Sequence, residues 1–292
     1  MENKVIIGTA RSGHVRLYLG DTTKLCEDAR KLHDLWPTSL AALGRSMSIT
    51  GIMGLMQKEE GEVVTTNING GGPIGSVLTV ADSDGNVKGF VGDSHIYLKY
   101  NDSNKLAVGM GVGKDGTLSV TKNLKLKQNY TSEVALQSGE IGDDYAYYFM
   151  ASEQIPAIVS VGVLVETDYS CKSAGVLLIE LLPDHTEEDI VMLEELLKTL
   201  KPVSTIILEE KDLLDFARKL FPDFELLEER ELRYHCDCSR ERFLRNLLTL
   251  PKKDLLEVLE EDKIDIRCDF CEKVYTFDKN DLDLVKKYVS DR

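Results

Sequence analysis

Short apolar runs rich in β-branched residues alternate with turn signals over the first 182 residues. Runs of this length and composition predict strands, and Asp84-Gly85-Asn86 and Asp115-Gly116 are typical turns between them. The predicted strands are Val5–Thr9, Val15–Tyr18, Val63–Ile68, Val77–Val80, Leu118–Leu124, Ile158–Val165 and Gly175–Leu182.

Helical periodicity interrupts these strands at three places. Asp21-Thr22-Thr23 is an N-cap signal for a first helix. Pro37 favours the first turn of a second helix, which continues to about Met56 and is apolar nearly all round. We expect that helix to lie buried against a sheet. Asp143–Gln154 is the third predicted helix, and Pro156 ends it. The pattern therefore predicts an α+β core domain of mixed sheets and helices over residues 1–182.

The character of the chain changes at Pro183. Thr186 caps a helix that Pro202 ends, and a second short helix is predicted over Lys211–Leu220. The predicted apolar face of the first helix consists of Ile190, Leu193, Leu197 and Leu200. Pro183 to Arg230 contains fourteen acidic and six basic side chains, a net charge of -8. Short helices are marginal in water unless they pack on neighbours, so residues 183–231 are interpreted as a metastable helical connector. An ordinary pair of surface helices on one continuous domain is the alternative.

Two close cysteine pairs lie in the last segment, residues 232–292. Cys236 and Cys238 form Cys-Asp-Cys, and Cys268 and Cys271 form Cys-Asp-Phe-Cys. The pattern around them predicts strands and helices, a small α+β domain. A unit of roughly 60 residues buries too little surface for comfortable stability, and a structural metal is a usual remedy.

The spacing of these cysteines is typical of a four-thiolate zinc site. Zinc prefers a tetrahedron of sulfurs, and each short pair can supply one edge of it. We therefore predict one zinc ion per chain on Cys236, Cys238, Cys268 and Cys271. His235 is a less favoured ligand because four sulfurs already complete the tetrahedron, and Asp237 and Asp269 are interpreted as turn residues.

Composition and charge limit the class of protein. No signal peptide or membrane-length apolar run is visible, so the expected location is cytoplasmic, where thiols stay reduced. Cys26 and Cys171 have no closely spaced partner and are interpreted as incidental residues. A net charge of -15, and a nearly neutral cysteine-containing segment, argue against nucleic-acid binding.

No catalytic site emerges from the sequence. The glycine-rich runs Gly70–Gly75 and Gly109–Lys114 do not match the phosphate-binding loop, because no Gly-Lys-Ser/Thr follows at the required spacing. Five scattered histidines support no triad. We expect that the protein is not an enzyme.

Several short runs occur together in a specific order along the whole chain. They are His33–Thr38, Ala41–Arg45, Gly71–Gly75, Gly116–Val120, Ser138–Asp144, Ser152–Pro156, Val161–Val165 and the four-cysteine tail. In this combination the chain resembles the thirty-three-kilodalton heat-shock protein family, which are redox-regulated bacterial holdases. One departure is Ser173-Ala174-Gly175-Val176, where relatives usually carry a glycine-rich strand opening.

The resemblance implies a mechanism. In the reduced state the zinc-bound protein would be folded and largely inactive as a chaperone. Hypochlorite, or peroxide with heat, would convert the thiolates to the disulfides Cys236–Cys238 and Cys268–Cys271 with loss of zinc. The tail and the connector would then unfold and bind unfolding client proteins, and the active form would be a homodimer that passes clients to ATP-dependent foldases.

Three other functions remain open from the residues alone. A thiol-disulfide oxidoreductase would use the Cys268–Cys271 pair without a metal. A zinc-ribbon nucleic-acid binder would need a more basic segment. A constitutive structural zinc domain would not switch on oxidation.

Overall fold

A computed structural model describes residues 3–101, 103, 105–126, 128–210 and 212–290. The chain forms two compact units, of which the first ends at His235 and the second begins at Cys236. The strands are β1 Lys4–Ala10, β2 Val15–Asp21, β3 Val63–Gly71, β4 Val77–Asp82, β5 Asn86–Val91, β6 Gly113–Asn123, β7 Tyr130–Ala135, β8 Ala157–Val165, β9 Cys171–Leu181, β10 Glu225–Glu231, β11 Arg233–Tyr234, β12 Lys263–Arg267 and β13 Val274–Asp278. The helices are α1 Thr23–His33, α2 Pro37–Leu55, α3 Val108–Val112, α4 Gly142–Tyr148, α5 Glu187–Thr199, α6 Val203–Glu209, α7 Leu213–Leu220, α8 Arg240–Leu247, α9 Lys252–Glu260 and α10 Lys279–Ser290. A 3-10 turn covers Arg11–Gly13, and a π-helical turn covers Phe149–Glu153.

The first unit is built on two sheets. One is antiparallel with the order β10-β1-β2-β9-β8. The other has the order β11-β5-β4-β3-β6-β7, and its short edge strand β11 runs parallel to β5. The mixed sheet-and-helix composition confirms the predicted α+β class, while strands β5, β7 and β10 were not predicted from the sequence.

Helix α2 is the centre of this unit. It contacts strands of both sheets and is buried on nearly every face, which agrees with its all-round apolar pattern. Its few polar side chains are paired inside the core: Thr50 lies 2.7 Å from Thr79, and the Tyr145 hydroxyl donates to Thr66 over 2.8 Å. Paired hydroxyls of this kind avoid the cost of burying an unsatisfied polar group.

The third predicted helix is interrupted. α4 ends at Tyr148, and the chain continues as a π-helical turn to Glu153, where Gln154 adopts a left-handed conformation with φ of 60°. The proline at 156 therefore follows the break and does not cause it alone.

The acidic segment lies in the first compact unit. Helices α5, α6 and α7 cover the face of the first sheet that points away from α2, and β10 pairs with β1. Thr186 caps α5 as predicted. Leu193 is buried there and Ile190 is partly buried, but the predicted contact of Leu197 is wrong, since its side chain is 58% exposed. The neighbouring residue Leu196 packs against the sheet instead, because α5 is rotated so that position 196, and not position 197, faces the sheet.

Two further details differ from the sequence prediction. α6 was not predicted, because its seven residues are too short to show a helical period. The second predicted helix begins at Leu213 and ends at Leu220, and the predicted first residue, Lys211, lies outside the described residues. The marginal stability of residues 183–231 remains a prediction.

The second compact unit has its own small core. β12 and β13 form an antiparallel hairpin, and α8, α9 and α10 supply apolar side chains to one cluster. The buried members of this cluster are Leu247, Leu255, Leu259, Tyr275, Phe277, Leu282 and Val285. So small a set of buried side chains is consistent with a unit that needs an additional stabilising element.

Candidate metal centre

The four predicted ligands meet at one point of the second unit. The sulfur atoms of Cys236, Cys238, Cys268 and Cys271 all lie within 4.8 Å of one another. Cys268 is buried, and the other three are partly buried. Among the described residues this is the cluster of cysteine, histidine and carboxylate side chains that has metal-ligand geometry.

The sulfur distances fit a tetrahedral ion. The Cys236 and Cys268 sulfurs are 3.7 Å apart, and the Cys238 and Cys271 sulfurs are 3.3 Å apart. A zinc ion with sulfurs at about 2.3 Å would place them about 3.8 Å from one another. These two short contacts join the two cysteine pairs to each other, as a shared metal requires. The site can therefore hold a metal ion of tetrahedral preference.

Local structure explains how each pair is presented. Cys268 and Cys271 occupy the tip of the β12–β13 hairpin, where the amide of Cys268 donates to the carbonyl of Lys273 over 3.0 Å. The amide of Glu272 donates to the carbonyl of Cys268 over 2.8 Å, and Glu272 itself adopts φ of 60° to close the turn. A left-handed residue at this position lets the chain reverse within four residues.

The other pair lies just before a helix. Ser239 is the N-cap of α8, and its hydroxyl accepts the amide of Arg242 over 3.2 Å. Ser239 itself has an extended backbone conformation, as N-cap residues do, and Cys236 and Cys238 precede it two residues apart in a segment without regular secondary structure. Neighbouring sulfurs at this spacing can reach a common ion.

A tyrosine that the sequence did not single out contacts the site. The hydroxyl of Tyr275 lies 3.2 Å from the Cys238 sulfur and donates to the Cys238 carbonyl over 3.0 Å. Tyr275 is on β13, and its direction depends on strand pairing with β12, which the sequence does not specify.

The thiols differ in their readiness to ionise. Burial opposes ionisation of Cys238, but hydrogen bonds from Tyr275 and from the neighbouring thiols outweigh it and lower the pKa of Cys238. Burial raises the pKa of Cys236 and of Cys271. The hydrogen bond to Cys238 raises the pKa of the Tyr275 hydroxyl. Among Cys236, Cys238 and Cys271, Cys238 is therefore the thiol whose surroundings favour the thiolate that a metal or an oxidant needs.

Charged residues around the site are paired with each other. Arg242 donates to Asp237 over 2.6 Å, and Arg240 donates to Asp281 and stacks 4.5 Å over the Phe277 ring. The predicted turn residue Asp237 thus contacts an arginine, and neither Asp237 nor Asp269 nor His235 belongs to the metal-binding cluster among the described residues. The arginines near the cysteines therefore balance carboxylates.

The two remaining cysteines are separate from this centre. Cys26 on α1 is completely buried, and Cys171 is buried at the start of β9. The two thiols interact: the Cys26 side chain, together with burial, raises the pKa of Cys171. The sequence did not indicate this contact, because the two residues are far apart along the chain.

The chain is similar to known proteins over nearly its whole length. The sequence profile described as Hsp33 protein matches residues 3–278. The 33 kDa chaperonin of Alkaliphilus oremlandii is 41% identical over 292 residues, which cover 99% of this chain and 98% of the relative. The 33 kDa chaperonin of Clostridium perfringens is 43% identical over 286 residues, which cover 97% of this chain and 90% of the relative.

A solved structure shows the same similarity in three dimensions. The crystal structure of the 33 kDa chaperonin from Thermotoga maritima matches with a TM-score of 0.90 and 32% sequence identity over 100% of both chains. Within the described part of this chain, no helix has the length and apolar character that crossing a membrane requires.

Proposed function

The chain belongs to the Hsp33 protein family, and from this membership we propose that it is a redox-regulated holdase chaperone and not an enzyme. Its relatives carry the name chaperonin, which supports a role in binding unfolded proteins. The observation that carries the redox part is the convergence of four sulfurs within 4.8 Å.

The metal is proposed to be zinc, one ion per chain, held by Cys236, Cys238, Cys268 and Cys271. A four-thiolate set with sulfur separations near 3.5 Å suits zinc better than magnesium or calcium, which prefer oxygen ligands. When bound, zinc stabilises the thiolate form of these residues and contributes on the order of 10 kcal/mol to folding in small zinc units. That contribution exceeds what the small core of the second unit can supply alone.

Oxidation would remove this contribution. Each pair of thiolates loses two electrons and forms one sulfur–sulfur bond, while hydrogen peroxide takes up the two electrons with two protons and yields two waters. Hypochlorite would accept two electrons in the same way and yield chloride and water. We propose the pairs Cys236–Cys238 and Cys268–Cys271, in which neither sulfur remains available as a thiolate ligand.

Unfolding of the tail would then release the connector, residues 183–231. In the closed structure its residues Leu193, Val203, Ile207 and Phe221 are buried against the first sheet. Release would expose these side chains together with the sheet residues beneath them, which include Ile6, Leu17, Leu19, Leu177 and Ile179. A large exposed apolar surface is the property that binding to unfolding proteins requires.

The charge of the connector supports its role. Exposed apolar surface normally leads to self-association, but net charge keeps an open chain soluble. We propose that the carboxylates at positions 187, 188, 194 and 195 serve this purpose, since they lie on the outer side of α5. Replacing all four with the corresponding amides should make the oxidised protein aggregate, and unchanged solubility would contradict this role.

The remaining features of the function are also proposals. The oxidised form is expected to be a homodimer in the cytoplasm and to pass clients to ATP-dependent foldases once reduction returns. Binding of nucleic acid is not expected, since the net charge is -15.

The proposal is tested by purifying the reduced protein and measuring bound zinc and light scattering of a thermally unfolding test protein. One zinc per chain without suppression of scattering, followed by zinc release and suppression after peroxide treatment, is the expected result. A metal-free reduced protein that reduces disulfides in a substrate would instead favour the oxidoreductase alternative.

A further inference from the structure

A strip of aromatic side chains lies on the surface of the first unit, away from the cysteines. It consists of His95, Trp36, Tyr169 and Tyr97, in that order. The ring centroids of Trp36 and His95 are 5.2 Å apart, those of Trp36 and Tyr169 are 6.2 Å apart, and those of Tyr97 and Tyr169 are 5.7 Å apart. Trp36 is 40% exposed and Tyr97 is 41% exposed. The rings therefore form a continuous surface that water reaches.

Three separate segments build this aromatic strip. Trp36 immediately precedes α2, and its amide donates to the carbonyl of Ser94 over 2.8 Å, which fixes the loop that carries His95 and Tyr97. Tyr169 comes from the turn between β8 and β9, where its amide donates to the carbonyl of Glu166 over 3.0 Å. The backbone thus holds the rings in place on a rigid scaffold.

Tyr169 adopts a backbone conformation that is unfavourable for its side chain. Its φ is 70°, in the left-handed region that glycine and asparagine prefer in tight turns. Glycine or asparagine would close this turn with less backbone strain than tyrosine does. In the structure that ring lies between Trp36 and Tyr97.

Three carboxylates lie near the strip, and the guanidinium of Arg30 interacts electrostatically with two of them, Asp34 and Asp168. Asp34 accepts a bond from His95 over 3.0 Å while its own side chain is 84% exposed. Asp93 and Asp168 are also exposed and lie next to the strip residues along the chain. Among the described residues, Lys99 is the cation that contacts a ring of the strip: its ammonium nitrogen lies 5.2 Å from the centroid of the Tyr97 ring. That contact demonstrates that a ring face of the strip accepts a cationic side chain.

We propose that the aromatic strip binds extended segments of client polypeptides in which lysine or arginine alternates with apolar residues. Exposed aromatic faces bind cations, and the neighbouring carboxylates add electrostatic attraction. An acidic segment would be repelled by the same carboxylates. This assignment rests on the proposed chaperone function, and it places a client contact on residues that do not belong to the connector.

Trp36 provides the measurement, because it is the single tryptophan of the chain. The probe is an unstructured peptide of leucine, serine and arginine, and the matched control peptide has glutamate in place of arginine. Titration of the oxidised full-length protein with the arginine peptide should shift or quench the emission of Trp36 to saturation. An unchanged emission, or an equal response to the glutamate peptide, would overturn the proposal.

Substitutions test whether the rings of the aromatic strip bind the peptide. Tyr169→Ala and Tyr97→Ala should each raise the dissociation constant of the arginine peptide at least about threefold, as expected for loss of one exposed cation–aromatic contact. Tyr130→Ala, at a tyrosine that is 56% exposed on β7, should leave it unchanged. Equal effects of all three substitutions would overturn the proposal. A Trp36 signal that depends on protein concentration without peptide would also overturn it, since the occupant would then be a second copy.

The test separates this proposal from the proposed function. If the oxidised protein suppresses aggregation but the peptide does not change the Trp36 emission, the strip is not a client contact and the chaperone function stands. If the emission responds but oxidation brings no suppression of aggregation, the strip binds peptide and the redox-regulated function fails.

Discussion

Asp189 joins the start of the connector to the core, and its removal should open the connector while the metal centre stays intact. Its carboxylate is 1% exposed and accepts the Thr186 amide and hydroxyl over 2.9 and 2.8 Å, as in a capping box. Arg11 donates to the same carboxylate over 2.9 Å, and His14 Nδ1 lies 2.8 Å from it. Arg11 and His14 belong to the turn between β1 and β2. The perturbation is Asp189→Ala.

The size of the effect follows from these bonds. Loss of a helix-capping interaction costs about 1 kcal/mol. The bonds from Arg11 and His14 add less than buried bonds to a charged group would, because both partners are partly exposed and solvent screens them. The capping loss of about 1 kcal/mol alone corresponds to about a fivefold shift of the docking equilibrium toward the released connector, and loss of the other two bonds increases that shift.

The assay is limited proteolysis of the reduced protein together with light scattering of a thermally unfolding test protein. Reduced Asp189→Ala should be cleaved within residues 183–231 and should suppress scattering partially, with bound zinc unchanged. Glu188→Ala is the matched control, because it removes the same charge from the first turn of α5 at an exposed position, whereas Asp189 is buried. A reduced Asp189→Ala protein with the protease resistance and inactivity of the control would refute the reasoning.

Three further perturbations test other parts of the structure. Burial, opposed by Arg16 and Lys122, raises the pKa of Glu180 to about 7, so the folded protein loses stability as pH rises from the ordinary pKa of a glutamate through that value. Glu180→Gln should therefore raise the melting temperature relative to wild type at pH 8.5 but hardly at pH 5, and a difference that does not depend on pH would contradict this. Tyr275→Phe removes the hydroxyl beside the Cys238 sulfur and should weaken zinc affinity about tenfold in competition with a chelator, whereas unchanged affinity would show that the hydroxyl does not support the site. Cys26 and Cys171 are buried free thiols that interact with each other, so they should not react with an aromatic disulfide reagent in the native protein. Metal chelation should make four thiols reactive, and denaturation should make the other two reactive; rapid reaction of six thiols after chelation alone would disagree with the structure.

The cluster of four cysteines could be predicted from the sequence because its information is local. Two short cysteine spacings are sufficient to indicate four candidate metal ligands, and the structure brings those four together. Helix α2 was predictable for the same reason, since Pro37 and an all-round apolar pattern mark its start and its burial. These features depend on neighbours along the chain.

Features that depend on tertiary pairing were not predictable. The sequence of β10, Glu225–Glu231, is mostly charged and shows no strand pattern. It forms a strand because it pairs with the edge strand β1. The packing of Leu196 in place of Leu197 depends on how α5 rotates onto the sheet. The contact between Tyr275 and Cys238, and the convergence of Trp36, Tyr97 and Tyr169, each join segments that are distant in sequence.

The central claim is that pairing of the four sulfurs releases the metal and uncovers the apolar face beneath the connector. The most direct measurement follows zinc release with a chromogenic chelator and hydrogen exchange of β1, β9 and residues 183–231 in one peroxide time course. We predict that zinc release precedes or accompanies loss of protection in the connector and at β1, while α2 stays protected. Complete zinc release and disulfide formation with a connector that remains fully protected would contradict the account.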